Sequence, residues 1–171
     1  MQRFVNTYNH DFPADWDRIG AGEKAREWLL EKGLVGPDDP VSEADAARLR
    51  ELREALRRLV IANHSGGRDA EAAAVVARAA ARARLAFAVD DAGETTLEPA
   101  GRGADGAVAK LLAILHEAQL KGQWPRMKAC RQCEYAFFDR SKNQSAAWCA
   151  MSICGNRNKN RAYYRRRSTA G

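Results

Sequence analysis

The chain has 171 residues, 46% hydrophobic and 29% charged, with a formal net charge of +6. That length suits one domain, or a modest domain with a small appendage, and its apolar stretches are too broken by charge to span a bilayer. The charge is unevenly placed: residues 1–125 carry 17 Lys and Arg against 20 Asp and Glu, whereas residues 126–171 carry 11 against 2.

Residues 1–7 lack the apolar core of a secretory signal, which points to a cytoplasmic setting where disulfides are disfavoured. Residues 22–32 read as a helix carrying Trp28, Leu29 and Leu30, with Gly33 just past its end. Gly36-Pro37-Asp38-Asp39-Pro40 breaks the chain. Ser42 is a good N-cap for a second helix with Leu49, Leu52, Leu56, Leu59 and Val60 on one face. Arg50, Arg53, Arg57 and Arg58 occupy much of the rest. Because Glu43, Asp45, Glu51 and Glu54 are interleaved with them, the reading is a solvated face paired within the helix.

His64-Ser65-Gly66-Gly67 ends that helix and Asp69 caps a third. There, 11 of the 19 residues from 70 to 88 are alanine, so close helix approach has to replace large side chains. Leu85, Phe87 and Val89 then alternate with alanines, residues 90–93 turn, and Thr95, Thr96 and Leu97 return as a hairpin. Gly101, Gly103 and Gly106 match the G-x-G-x-x-G dinucleotide pattern, but a hairpin is the wrong setting and the reading is a glycine-rich linker. A last helix starts at Asp105, carries Val108, Leu111, Leu112, Leu115 and Leu120, and ends at Gly122 and Pro125. No catalytic set emerges: His10, His64 and His116 are scattered, and His116-Glu117 lacks the second histidine of a zinc-protease motif. The chain is expected not to be an enzyme.

All four cysteines lie in the last quarter, as Cys130-x2-Cys133 and Cys149-x4-Cys154 with 15 residues between the pairs. Each short spacing places two thiolates on one side of a metal, and joining the pairs closes a tetrahedral four-sulfur site that suits zinc. Iron would accept the same thiolates, and disulfides or free thiols are the non-metal alternatives. The intervening stretch has room for a short hairpin. Tyr135, Phe137 and Phe138 favour strand, Asp139, Arg140, Ser141, Lys142 and Asn143 read as the turn that ends it, and Trp148 is placed to cover the metal. A segment this short and poor in aliphatic side chains needs the metal to fold. After Cys154, residues 156–167 read as a helix with Arg157, Arg161 and Arg165 on one stripe, Lys159 and Arg166 nearby, and Tyr163 and Tyr164 among the charges.

The run Trp148-Cys149-Ala150-Met151-Ser152-Ile153-Cys154-Gly155-Asn156-Arg157, led by Phe138-Asp139-Arg140-Ser141, resembles the CGNR zinc finger family. Phe4-Val5-Asn6-Thr7 and the later Trp28-Leu29 before Gly33-Leu34 resemble the ABATE domain that precedes that finger. The resemblance implies a bacterial protein classed as a stress-induced transcription regulator, with the four cysteines as zinc ligands; RNA binding has also been ascribed to similar proteins. Relatives carry basic residues just before the tryptophan, where this chain has Ala146 and Ala147, which removes positive charge from that edge.

The expected architecture is therefore α+β. A mostly helical domain with a small β-hairpin occupies residues 1–124, with a ligand-sensing or dimerising role. A basic four-cysteine zinc finger, hairpin plus C-terminal helix, occupies 125–171. The expected function is nucleic-acid binding, DNA favoured, through Arg140, Lys142, Arg157, Lys159, Arg161, Arg165 and Arg166. The partners expected beside it are an unidentified small-molecule effector and a second copy of the chain. RNA binding and zinc-dependent protein interaction are the alternatives.

Overall fold

A computed structural model describes residues 1–64 and 66–168, apart from the side chains at 162–164, 166 and 168. In chain order the elements are α1 (Gln2–Val5), α2 (Gly22–Glu31), α3 (Glu43–Ala62), α4 (Ala70–Arg82), β1 (Leu85–Val89), β2 (Thr95–Pro99), α5 (Gly103–Leu120), β3 (Met127–Ala129), β4 (Ala136–Phe138) and α6 (Asn156–Ser168). A 3-10 turn, Ala14–Trp16, precedes α2, and a π turn, Met151–Gly155, leads into α6. This is the α+β layout expected, with two small antiparallel hairpins. No helix among the described residues is long and apolar enough to cross a membrane.

Local signals set the helix ends. Gly33 adopts φ 65°, and the Leu34 and Gly33 N–H groups return to the Leu29 and Leu30 carbonyls, closing α2 in a Schellman turn. At the start of α3 the Ser42 hydroxyl accepts from the Asp45 N–H while the Asp45 carboxylate accepts from the Ser42 N–H, a reciprocal cap. Asp69 caps α4 by accepting from the Ala72 N–H at 2.9 Å. Helix α5 starts at Gly103, two residues ahead of the position expected. Gly103 takes φ 61°, and the Gly101 carbonyl lies where a side chain on Gly106 would have to go. The glycines thus shape a tight turn after the β1–β2 hairpin, in which Phe87 pairs with Leu97. The linker reading holds only for Gly101: Gly103 and Gly106 belong to the first turn of α5, and the antiparallel hairpin before them is not the parallel-strand setting of a dinucleotide site.

The core gathers Phe4, Val5, Ile19, Trp28, Leu29, Leu49, Leu52, Leu56, Val60, Leu111 and Leu115. Met127, Ala129 and Ala136 of the second hairpin belong to the same cluster. A smaller cluster joins Cys130, Phe137 and Cys154, with Trp148 packed against it as expected. Leu120, placed by periodicity on the apolar face of α5, is the last residue of that helix and is 75% exposed.

The arginine face of α3 departs from expectation. Arg58 is exposed and paired with Asp69 and Glu71, but Arg53 and Arg57 are buried, at 3% and 2% exposure. Arg53 pairs with Asp17 at 2.6 Å and reaches the Thr7 hydroxyl. Arg57 donates to the Val5 and Tyr8 carbonyls at 2.7 Å, to the Glu134 carbonyl at 3.1 Å, and to Glu54. A guanidinium has five donors in a rigid fork, so one side chain can satisfy several carbonyls that irregular chain leaves without partners.

Candidate metal centre

The first cysteine pair is the loop of the second hairpin. Met127 pairs with Phe138 and Ala129 with Ala136, so Cys130 leaves β3 directly and the chain turns through Cys133 and Glu134, at φ 56°, to re-enter as β4. The sequence suggests a hairpin lying wholly between the two cysteine pairs, with Tyr135, Phe137 and Phe138 in one strand. The observed partner lies before Cys130, β4 begins at Ala136, and Tyr135 is 40% exposed.

Asp139 explains the difference. It is 1% exposed and lies 2.8 Å from the ammonium of Lys128, also buried, and it accepts from the Ser141 and Ala146 N–H groups at 2.9 and 3.0 Å. Burial pushes its carboxyl up. Lys128, the Ser141 hydroxyl and the two N–H groups outweigh that and hold it well below the usual carboxylate range. Lys128 also donates to the Gln144 carbonyl, and Arg126 to the carbonyls of Asp139 and Ser141. Residues 139–147 are thereby folded back over β3, and the Arg131 N–H to Ala147 carbonyl bond brings the second cysteine pair against the first.

In the second pair, the Cys154 and Gly155 N–H groups both return to the Ala150 carbonyl, winding the π turn. The Met151 thioether packs into the space beside Gly155 where a side chain would otherwise lie. The four sulfurs lie within 4.8 Å of one another. Cys133, Cys149 and Cys154 are separated by 3.8, 3.7 and 3.7 Å. A tetrahedron with metal–sulfur bonds of about 2.3 Å has edges of about 3.8 Å, so the cluster has the size of a zinc site. All four thiols are free, at separations far longer than the bond of about 2.05 Å that a disulfide requires.

The thiols shift one another. Burial, then the neighbouring Cys154 and Cys130 sulfurs, pushes Cys149 up to about 11, and burial together with Cys130 and Cys154 also raises Cys133. At Cys130 burial is outweighed by the N–H groups of Cys149, Gln132 and Cys133, which draw it down to about 7. Four crowded sulfurs cannot all ionise without a cation among them. A zinc ion would displace protons from Cys133 and Cys149, so its affinity rises with pH.

Side chains of the helical part grip this unit. The Asn6 amide donates to the Ala136 carbonyl and accepts from its N–H, both at 2.8 Å, pairing with β4 as a strand would. Asn63 donates to the Trp124 and Met127 carbonyls, and His64 Nε2 meets the Ala129 carbonyl. Replacing Asn6 by alanine strands two groups at the buried Ala136, each costing about 1–3 kcal/mol, so unfolding stability should fall by about 2–6 kcal/mol with zinc content unchanged. Wild-type stability in urea denaturation would refute that role for Asn6.

Of the expected nucleic-acid contacts, Arg140 and Lys142 are exposed after β4, and Arg157, Lys159, Arg161 and Arg165 are exposed on α6. The stripe of Arg157, Arg161 and Arg165 forms as expected, and Arg161 donates to Gln132 of the first cysteine loop at 3.2 Å. The side chains of Arg166, Tyr163 and Tyr164 lie outside the described residues. Arg131, exposed between the first two cysteines, was not singled out from the sequence; a cation inside the cysteine loop was the available signal. Ala146 and Ala147 are half-buried, and their backbones help hold the loop.

A sulfur cluster of zinc dimensions, clasped onto a helical core, defines a zinc-finger protein. Residues 2–127 match the ABATE family model, described as "Putative stress-induced transcription regulator", and residues 126–167 match the CGNR zinc finger. The chain belongs to the ABATE family and carries a CGNR finger at its C-terminal end. Both families are of regulator and zinc-finger type rather than enzyme classes. No curated protein matches the chain.

Proposed function

We propose that the chain is a transcription regulator that binds DNA through its zinc-organised, basic C-terminal unit, with Cys130, Cys133, Cys149 and Cys154 as ligands. The observation that carries this reading is the charge split: 11 basic against 2 acidic residues in 126–171, attached to a helical part with an acidic excess. Four thiolates and one zinc ion still leave that unit near +7, by the charge states of such a site. Arg157, Arg161 and Arg165 recur every four residues along α6, and phosphate contacts from such basic side chains would position the protein on a duplex.

About five neutralised phosphates give a slope near −4.5 for log K against log salt on duplex DNA. Fluorescence anisotropy across a salt series should return that slope, and weak or salt-independent binding would contradict the reading. Single-stranded RNA is the competitor to include. Phe138, whose ring would suit stacking on an unpaired base, packs against the core, which favours the duplex. The helical part takes the sensing or dimerising role in this reading. A surface cleft of about 250 Å³ lined by Trp16, Arg18, Lys24, Glu27 and Trp28 is where an effector would be sought, by thermal shift.

A further inference from the structure

The π turn between the last two cysteines presents two aliphatic side chains to solvent, Met151 at 52% and Ile153 at 56% exposure, and Ser152 between them is exposed as well. The turn is not slack. Cys154 and Gly155 are buried, their N–H groups share the Ala150 carbonyl, and the Asn156 amide donates to the Ser152 carbonyl at 3.1 Å. Ile153 stands one turn ahead of Arg157 and two ahead of Arg161, the residue that ties α6 to the first cysteine loop. An apolar tip on a hydrogen-bonded turn is thus set at the head of a cationic helix.

Single exposed apolar residues need no explanation. Two on one hydrogen-bonded turn, in the part of the chain whose charge suits a polyanion, fit a partner with apolar surface behind its phosphates. The base stack is the apolar surface of nucleic acid, and aliphatic wedges enter it by parting adjacent base pairs. Aliphatic side chains also lack the flat π face on which unpaired bases stack, which favours a duplex over a single strand. Pyrimidine–purine steps part most readily.

We infer that Ile153, supported by Met151, is a wedge that enters duplex DNA at a deformable pyrimidine–purine step while Arg157 and Arg161 hold the flanking phosphates. This rests on the DNA reading above. Two classes of contact follow, one sensitive to salt and one to step type.

The test uses the full, zinc-loaded chain with duplexes that contain or lack a TA step, the TA adenine being replaced by 2-aminopurine. Wild-type binding should raise 2-aminopurine fluorescence as the step unstacks. Ile153→Ser should weaken binding to the TA duplex about tenfold, the effect of burying one aliphatic side chain, with zinc content and salt slope unchanged. Ile153→Leu should stay within about twofold because it keeps the apolar bulk. Arg157→Gln should instead reduce the slope by about 0.9. Salt-dependent wild-type binding with no fluorescence rise and no loss in Ile153→Ser overturns the wedge and leaves the DNA reading standing. Absence of salt-dependent duplex binding by the wild type overturns both. The fluorescence arm is read on the wild-type chain, so it decides the matter even if the serine variant fails to fold.

Discussion

Substituting Cys154 by serine is expected to release zinc to a chelator that leaves the wild-type chain loaded, and to unfold residues 130–157 while most helices persist. Structural zinc supplies roughly 10–16 kcal/mol of apparent binding energy in small fingers. The local apolar cluster amounts to Cys130, Phe137 and Cys154 with Trp148 and a few small neighbours, too little to replace it. The helices survive because Leu49, Leu52, Leu56, Leu111 and Leu115 are buried independently of the sulfurs. Their melting temperature should still fall, since Met127, Ala129 and Ala136 share their core and lose the fixed loop between them. Circular dichroism with metal analysis reads both effects. Stoichiometric zinc and an unchanged melt in the serine variant would refute the expectation.

Replacing Lys128 by methionine is the second large effect, and it needs no metal chemistry. Breaking a buried ion pair from one side costs about 3–5 kcal/mol because the remaining charge is left without a partner. Asp139, with its side chain fully buried, is that charge. In the wild type its depressed carboxyl contributes stability above the ordinary carboxylate pKa, and that contribution is lost as pH falls through the folded value. Without Lys128 the carboxyl rises and takes up a proton more readily, so the cost of the substitution should shrink toward acid pH. Removing both charges, as Lys128→Met with Asp139→Leu, should recover part of the loss. Urea denaturation at neutral and acid pH measures both. A neutral-pH change below about 1 kcal/mol would place the pair in the range of exposed salt bridges and contradict its role as a clasp.

The features legible in the sequence were those written in neighbouring residues. Gly33 closes α2, Ser42 and Asp69 cap their helices, and the cysteine spacing gives the metal cluster, each within a few positions. What escaped depends on partners far along the chain. Asn6 and Ala136 are 130 residues apart, and Arg57 and Glu134 are 77 apart. A helical arginine beside a glutamate reads the same whether it faces water or a set of unpaired carbonyls. Asp139 illustrates the same limit: aspartate before Arg140 and Ser141 suggests a turn, and only the fold shows Lys128 meeting it across the hairpin. The hairpin was misplaced for that reason, because the strand opposite Phe138 precedes the cysteines instead of following them.

X-ray absorption at the zinc edge tests the central claim most directly, that four sulfurs of one chain hold one zinc ion and so order the basic unit. One zinc per chain with a shell of four sulfurs at about 2.3 Å is the predicted result. A nitrogen or oxygen scatterer in place of a sulfur, or purified chain without stoichiometric zinc, would contradict it.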